Sequence, residues 1–354
     1  MRGTRDRPER LGYAVVALVV LSAWTLAACA PGGDSKSAPN ASTDTSASAA
    51  SPDTSGAGSE ESGPVWIRAA DLPPVEPMTP SVSADAPQRI VSLATGVGET
   101  LVALGVADRV VGRDETSDVP AIASVPVVTR AHNVSAEKVI SLDPDLVIVD
   151  ARTTPPEALD QIAASGATIV TIPEAWTLAD MAPRTRAVAE AVGADPAGLL
   201  NALPAVPTAS PAAGAPRVAF LYLRGTSAIY LLGGSGSGAD ALIAAAGGID
   251  VGAEADYDPF VPLVAEAVAA LDPDVLLVMT KGLESVNGVD GLVALPGVAQ
   301  TTAGQQRRVI AVDDEVLLSF GPRTGALVDR LRQVLAEMVP TRGGGMAMSS
   351  STAP

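Results

Sequence analysis

Two stretches of this chain repeat each other at a separation of 129 residues. Ala136-Glu137-Lys138-Val139-Ile140-Ser141-Leu142-Asp143-Pro144-Asp145-Leu146-Val147-Ile148-Val149 is matched by Ala265-Glu266-Ala267-Val268-Ala269-Ala270-Leu271-Asp272-Pro273-Asp274-Val275-Leu276-Leu277-Val278. Each copy reads as a short helix, an Asp-Pro-Asp turn and an apolar strand of the kind buried on both faces of a parallel sheet. Upstream, Arg89-Ile90-Val91-Ser92-Leu93 and Arg217-Val218-Ala219-Phe220-Leu221 correspond at a separation of 128 and give each half a first strand. A repeat at this distance implies two similar α/β lobes, because solenoid units are far shorter. Apolar strands at 89–94, 109–112, 146–150 and 168–172, then at 217–223, 229–232, 275–279 and 309–312, alternate with helical stretches. That alternation predicts parallel sheets covered on both faces. Residues 178–204 carry helical spacing rich in Ala, Arg, Glu and Leu, interrupted by Gly193 and Pro196, which favour a kink. The expectation is two Rossmann-like lobes, at 66–177 and 205–340, joined by one long helix at 178–204.

The ends of the chain are different in kind. Arg2, Arg5, Arg7 and Arg10 precede an apolar run from 11 to 28 that is too short to span a bilayer comfortably, so residues 1–28 read as a signal peptide. The run closes on Leu26-Ala27-Ala28-Cys29, and Cys29 is the single cysteine of the sequence. An unpaired cysteine in an exported chain asks for an explanation, which lipidation supplies. Residues 29–65 and 341–354 are mostly small and polar, with too little apolar surface to offset ordering, and read as a disordered tether and tail. Net charge is −17, and removing residues 1–28, which carry a net +2, leaves −19. So acidic a body repels phosphate backbones, which excludes nucleic acid as a partner.

The stretch from Arg89 to Thr100, with Ala103-Leu104-Gly105 and Arg109-Val110-Val111-Gly112, resembles the opening of the binding proteins of ABC importers that take up iron siderophores, cobalamin and haem. The paired helix–Asp-Pro-Asp–strand segments share the resemblance, which covers about residues 86–340, and Leu26-Ala27-Ala28-Cys29 resembles the bacterial lipobox. The resemblance implies a class III substrate-binding fold, a monomer whose Cys29 carries lipid at the outer face of the cell membrane, and a permease with its ATPase as partners. It also implies that the chain is no enzyme. Within that class, Arg130-Ala131-His132-Asn133, Leu221-Tyr222-Leu223-Arg224-Gly225 and Met279 resemble features of haem-binding lipoproteins. In those proteins a His of the first lobe and a Tyr of the second ligate the iron, and an Arg near the Tyr supports it. Glu137 and Glu266 occupy the same repeat position, one per lobe, and the family pattern makes such a pair the docking points for permease arginines.

The residues themselves leave more open. His132, the single histidine, falls in a loop before a predicted helix, where open α/β sheets bind ligands, and neutral imidazole suits haem iron. Tyr222 and Arg224 sit two apart near the end of a strand, so both point to one face. A phenolate is an anionic oxygen suited to ferric iron, and a neighbouring guanidinium favours the ionised phenol. Tyr230 is a rival ligand. Tyr257 and Met279 are candidate walls, and Met279 suits core packing equally. Arg113, Arg130 and Arg152 are unranked candidates for the haem propionates. The alternatives are a ferric-siderophore or cobalamin binder of the same fold, and a secreted α/β enzyme. The run Gly233-Gly234-Ser235-Gly236-Ser237-Gly238 lacks the Gly-Lys-Ser/Thr ending of a phosphate loop and reads as a loop whose amides could meet a propionate.

Overall fold

The computed structural model describes residues 63–130, 133–207 and 211–340. The leader, Cys29, His132 and the C-terminal tail lie outside them. The chain enters through β1 (Val65–Ile67) and then builds a first lobe from β2 (Ile90–Ser92), α1 (Val97–Ala103), β3 (Val110–Arg113), the short pair β4 (Thr129–Arg130) and β5 (Asn133–Val134), α2 (Ala136–Ser141), β6 (Leu146–Val149), α3 (Pro156–Ala164) and β7 (Thr168–Thr171). Its four-stranded sheet runs β3-β2-β6-β7, with every neighbour parallel. β6 is buried along its whole length, as expected of a strand covered on both faces.

After α4 (Leu178–Ala191) and α5 (Ala197–Ala202), the second lobe contains β8 (Arg217–Arg224), β9 (Ile229–Gly233), α6 (Ala239–Ala245), β10 (Ile249–Asp250), α7 (Val251–Glu254), β11 (Phe260–Pro262), α8 (Ala265–Leu271), β12 (Val275–Met279) and β13 (Val309–Val312). The sheet order is β1-β13-β12-β8-β9-β11, with β10 beside β8. The helix Thr324–Met338 packs its buried face, Leu327, Leu331 and Val334 included, onto the same core as Phe220 and Leu277.

Three expectations are corrected. The first lobe does not begin at residue 66: β1 pairs in parallel with β13, Val65 opposite Ile310, and Ala69 and Leu72 are buried in the second lobe's core. The second sheet is mixed rather than parallel, since β9 runs antiparallel to β8, and β11 to β9. Only residues 225–228 separate β8 from β9, too few for a parallel crossover, and a 3₁₀ turn at Gly225–Ser227 with Ala228 at φ 50 reverses the chain. The single long helix of 178–204 is two helices. Gly193 takes φ +64, its N–H reaches Glu190 O at 3.1 Å and the Ala194 N–H reaches Ala189 O at 2.8 Å, a closed C-terminal cap that ends α4.

The repeat has a local cause. Asp145 accepts from the N–H groups of Gln88 (2.8 Å) and Arg89 (3.0 Å), and Asp274 accepts from Arg217 N–H at 3.0 Å. Each last Asp of an Asp-Pro-Asp turn thus ties the start of its strand to the start of the neighbouring first strand. The arginines return the contact, Arg89 to Leu142 O (2.6 Å) and Arg217 to Leu271 O (3.1 Å). Asp143 and Asp272 both take positive φ, 47 and 40, which aspartate tolerates better than most residues.

Asp250 caps α7, its Oδ1 accepting from Ala253 N–H at 2.8 Å, while Oδ2 is buried with no hydrogen-bond partner among the described residues. Burial, reinforced by Asp240, pushes its carboxyl up to about 7. An unfolded aspartate titrates near 3.9. Between about pH 4 and 7 the folded chain therefore holds the extra proton, so Asp250 makes stability fall as pH rises through that window. Asp250→Asn keeps the capping oxygen. Its stability advantage over the wild type should be absent near pH 4 and grow by on the order of 1 kcal/mol per pH unit toward pH 7 in urea titrations; parallel pH profiles would contradict this.

Candidate ligand-binding cleft

Parallel strands of both lobes end at one cleft. Thr95 follows β2, Thr116 follows β3, Arg152 follows β6 and Trp176 follows β7; Tyr222 and Arg224 end β8, Met279 ends β12 and Asp314 follows β13. These residues, with Leu231, Phe260 and Leu318, line a cavity of about 260 Å³. Ligands of open α/β sheets sit at such strand ends, where loops diverge and backbone groups lose their ladder partners.

Strand alternation decides what reaches the cavity. Along β8, Val218 and Phe220 belong to one core face and Ala219, Leu221 and Leu223 to the other. Tyr222 and Arg224 continue the first face as the strand emerges. Arg224 Nε donates to the Tyr222 hydroxyl at 2.9 Å, and its guanidinium carbon lies 5.2 Å from the ring centroid. Phe260 packs edge-on to Tyr222 at 5.8 Å between centroids. The phenol is thus fixed by an aromatic edge and a charged donor, on a residue that lines the cavity.

The pairing of β8 with β9 puts Leu223 opposite Tyr230 and Tyr222 opposite Leu231. Tyr230 therefore packs on the far face, as does Tyr257, and neither lines the cavity. Met279 does line it, while also packing against the second-lobe core. Arg130 is exposed on β4 and does not line this cavity; His132, two residues on, is outside the described residues.

The arginines are largely committed elsewhere. Arg113 is buried and donates to Val125 O (3.2 Å), Ala123 O (3.3 Å) and Asp118 (3.2 Å), so it fastens the loop after β3. Arg152 faces the cavity but is paired with Glu174 at 2.8 Å and Asp150 at 3.4 Å. Its guanidinium lies over Trp176, 4.9 Å from the ring centroid, and the indole N–H donates to Glu174 at 3.3 Å. The glycine run is closed too: Gly236 and Gly238 N–H groups are taken by Asp240, and Ser235 N–H by Tyr257 O. Trp176, Phe260 and Leu318 are cavity residues that the motifs did not point to. Trp176 stands five residues past the end of β7, so the strand-end rule would have nominated it.

The model of the periplasmic binding protein family matches residues 90–316, most of the folded body. The chain belongs to the periplasmic binding protein family. This is a family of transport binding proteins, which makes the chain a substrate-binding protein rather than an enzyme and its folded body an exported one. The periplasmic haem-binding protein RhuT of Roseiflexus sp. RS-1, in its apo form, is 40% identical, with 71% of this chain and 99% of that one aligned and a TM-score of 0.66. The haem-binding protein HmuT is 32% identical over 78% of this chain and 98% of its own, with a TM-score of 0.68. HmuT has also been crystallised with alanine in place of a histidine, of a tyrosine, and of an arginine two residues beyond that tyrosine. An ABC transporter substrate-binding lipoprotein of Bacillus subtilis (strain 168), YvrC, is 32% identical over 111 residues, 31% of this chain and 35% of that protein. A cobalamin-binding protein of Halobacterium salinarum is 26% identical over 270 residues, 72% of each chain.

A binding protein of this family needs its two walls held at a working distance. α4 buries Leu178 and Met181 in the second lobe's core and Val188 and Ala189 in the first lobe's. Beside it, Glu99 of α1 pairs with Arg323 of the second lobe, and both side chains are almost wholly buried. Arg323 also donates to Ala69 O at 2.9 Å, and Gly321 leaves no room for a side chain against Glu99. Burial pushes the Glu99 carboxyl upward, with Arg323 opposing the shift. Removing one partner of a buried pair leaves an uncompensated charge, which costs about 3–5 kcal/mol. Glu99→Ala should therefore lose stability of that order in urea unfolding, and Glu99→Leu with Arg323→Met should recover most of it. A loss under about 1 kcal/mol for the single variant would show the pair to be dispensable.

Proposed function

We propose that this chain is a lipid-anchored haem-binding protein that captures haem between its lobes and delivers it to an ABC importer. The observation that carries this reading is Tyr222, whose hydroxyl accepts a 2.9 Å hydrogen bond from Arg224 at the wall of an aromatic and apolar cavity. The two-residue spacing from tyrosine to arginine is the one mutated in HmuT. A tyrosine oxygen is a hard donor suited to ferric iron, and Arg224 holds this one in place. His132 is the proposed ligand from the first lobe, Arg224 supports Tyr222, and Met279, Phe260 and Trp176 provide walls for a flat ring. The residues between Cys29 and β1 are the proposed tether from a lipidated Cys29, which holds a monomeric body at the outer face of the membrane. Cobalamin is the second reading, favoured by the Halobacterium salinarum relative; it makes no use of a tyrosine hydroxyl held by an arginine, which this cavity wall carries.

Glu137 and Glu266 are exposed in the first turns of α2 and α8, and neither has an ion-pair partner among the described residues. Their equivalent positions in the two lobes suit them to the two halves of a permease dimer, and we assign them to docking.

Titrating the soluble body with hemin should give a saturable, shifted Soret band at one equivalent, and cobalamin should not compete. Tyr222→Phe keeps the ring and should weaken hemin retention at least about tenfold, a loss of about 1.4 kcal/mol, with a changed spectrum; His132→Ala should change the spectrum as well, and Tyr230→Phe should change nothing. No Soret shift, or competition by cobalamin, would overturn the haem reading. For docking, Glu137→Ala with Glu266→Ala should abolish uptake and leave the hemin titration unaltered; normal uptake would remove that role.

A further inference from the structure

The cleft does not end at the cavity of Tyr222. Thr116 and Asp314 also line an adjoining cavity of about 290 Å³, whose other walls include Glu115, Asp118, Glu284, Asp313 and Glu315 against a single lysine, Lys281. Some of these carboxylates are occupied: Asp313 accepts from Ala69 N–H and the Thr280 hydroxyl, both at 2.9 Å, Asp314 from Lys281 N–H at 3.0 Å, and Asp118 pairs with Arg113. Hydrogen bonds do not remove their charge. Glu115 and Glu284 are exposed and have no ion-pair partner among the described residues. Burial pushes the Glu315 carboxyl upward, and Asp118, Asp313 and Glu99 push it further against the pull of Arg323. One end of the cleft is therefore a negative wall in direct continuity with the ligand cavity.

The cavity itself offers little to balance that wall. Arg152 is matched by Glu174 and Asp150. Arg113 is tied into the loop after β3, and the amides of the glycine run are spent on Asp240, Pro259 O and Tyr257 O. Among the described residues lining the cavity, Arg224 is the one cation without a carboxylate partner, and its Nε already serves the Tyr222 hydroxyl.

Building on the haem reading, we propose that the cleft recognises an iron porphyrin by its metal and its apolar ring, and discriminates against carboxylates on the ring's edge through Asp314, Glu115 and Glu284. Peripheral carboxylates turn away from the acidic end toward open solvent, which fixes the ligand's orientation, while Arg224 stays with the Tyr222 hydroxyl. The class of ligand accepted is then ferric porphyrins with few or no acidic substituents, and polyanionic ferric chelates are rejected by the same wall. Like charges at short range across a partly buried cleft repel, and the repulsion weakens with salt.

The test is a titration series of the soluble wild-type body with hemin dimethyl ester, which has no free carboxylate, hemin, which has two, and ferric coproporphyrin, which has four. Affinity should fall along that series. Raising the salt concentration should strengthen binding of hemin and of ferric coproporphyrin while leaving the diester unchanged. Glu115→Gln with Glu284→Gln should strengthen hemin binding several-fold at low salt and leave the diester unchanged. Hemin binding tenfold tighter than the diester, or weakening as salt rises, would overturn the proposal, because carboxylates would then be held by cations. Absence of a Soret shift with all three porphyrins would instead overturn the iron-porphyrin reading on which it rests.

Discussion

α4 and the Glu99–Arg323 pair hold the two sheets at a set distance, and the cleft depends on it. The helix is anchored by Leu178 and Met181 at one end and by Val188 and Ala189 at the other, each pair in a different core. A rotation of one lobe against the other would have to pull apolar side chains from one of these cores or strand a buried charge. Each cost is a sizeable fraction of the marginal stability of a folded domain. Arg184 adds to the same seam, with its guanidinium reaching Pro173 O and Thr95 O next to the cavity. A cleft built this way meets its ligand with its walls already placed, so little ordering entropy is lost on binding.

The parts of this architecture visible in the sequence are those set by local chemistry. Asp145 and Asp274 announce themselves because each must accept from the first strand of its lobe, and the same need produced the same tripeptide twice. The buried strands were legible for a similar reason, since a strand covered on both faces has no polar position to break the run. Pairing partners were not legible. Nothing within Val65-Trp66-Ile67 says that it joins β13 rather than the strands that follow it, and the hairpin of β8 and β9 is set by a short link, not by composition. The end of α4 was half visible: Gly193 marked a break, but only its positive φ and the two cap hydrogen bonds separate a stop from a kink.

For the site, spacing carried Tyr222 and Arg224, because period-two alternation on a strand is strict. The same alternation removes Tyr230, but only once the antiparallel register with β8 is known, and that register comes from the turn. Arg113 and Arg152 are poor anion sites for an electrostatic reason, whereas Arg130 does not line the cavity. A guanidinium predicted in a strand-end loop is a candidate anion site only if no carboxylate reaches it first. In this acidic body Arg152 and Arg113 are both claimed, by Glu174 and Asp150 and by Asp118. Sequence can place a charge near a cleft; it cannot show which neighbour has neutralised it.

Under the proposed haem reading, this division of labour bears on how an acidic protein carries an anionic cargo. A bond from a phenolate to ferric iron is short-ranged and directional, and it is lost once the oxygen moves by a small distance. Charge repulsion from Asp314 and its neighbours acts over several ångströms and changes little with such a movement. On that reading, coordination and ring burial outweigh the repulsion while the ligand is seated. If docking through Glu137 and Glu266 shifts the cavity side chains by a fraction of an ångström, without parting the two cores, the coordination contact goes first while the repulsion remains, and the balance tips toward release. A site that drew its affinity from arginines on the propionates would have no such asymmetry, since those long-range attractions would persist through the same small shift. Neutralised cations and an unneutralised acidic end are therefore suited to a protein whose task includes letting its ligand go.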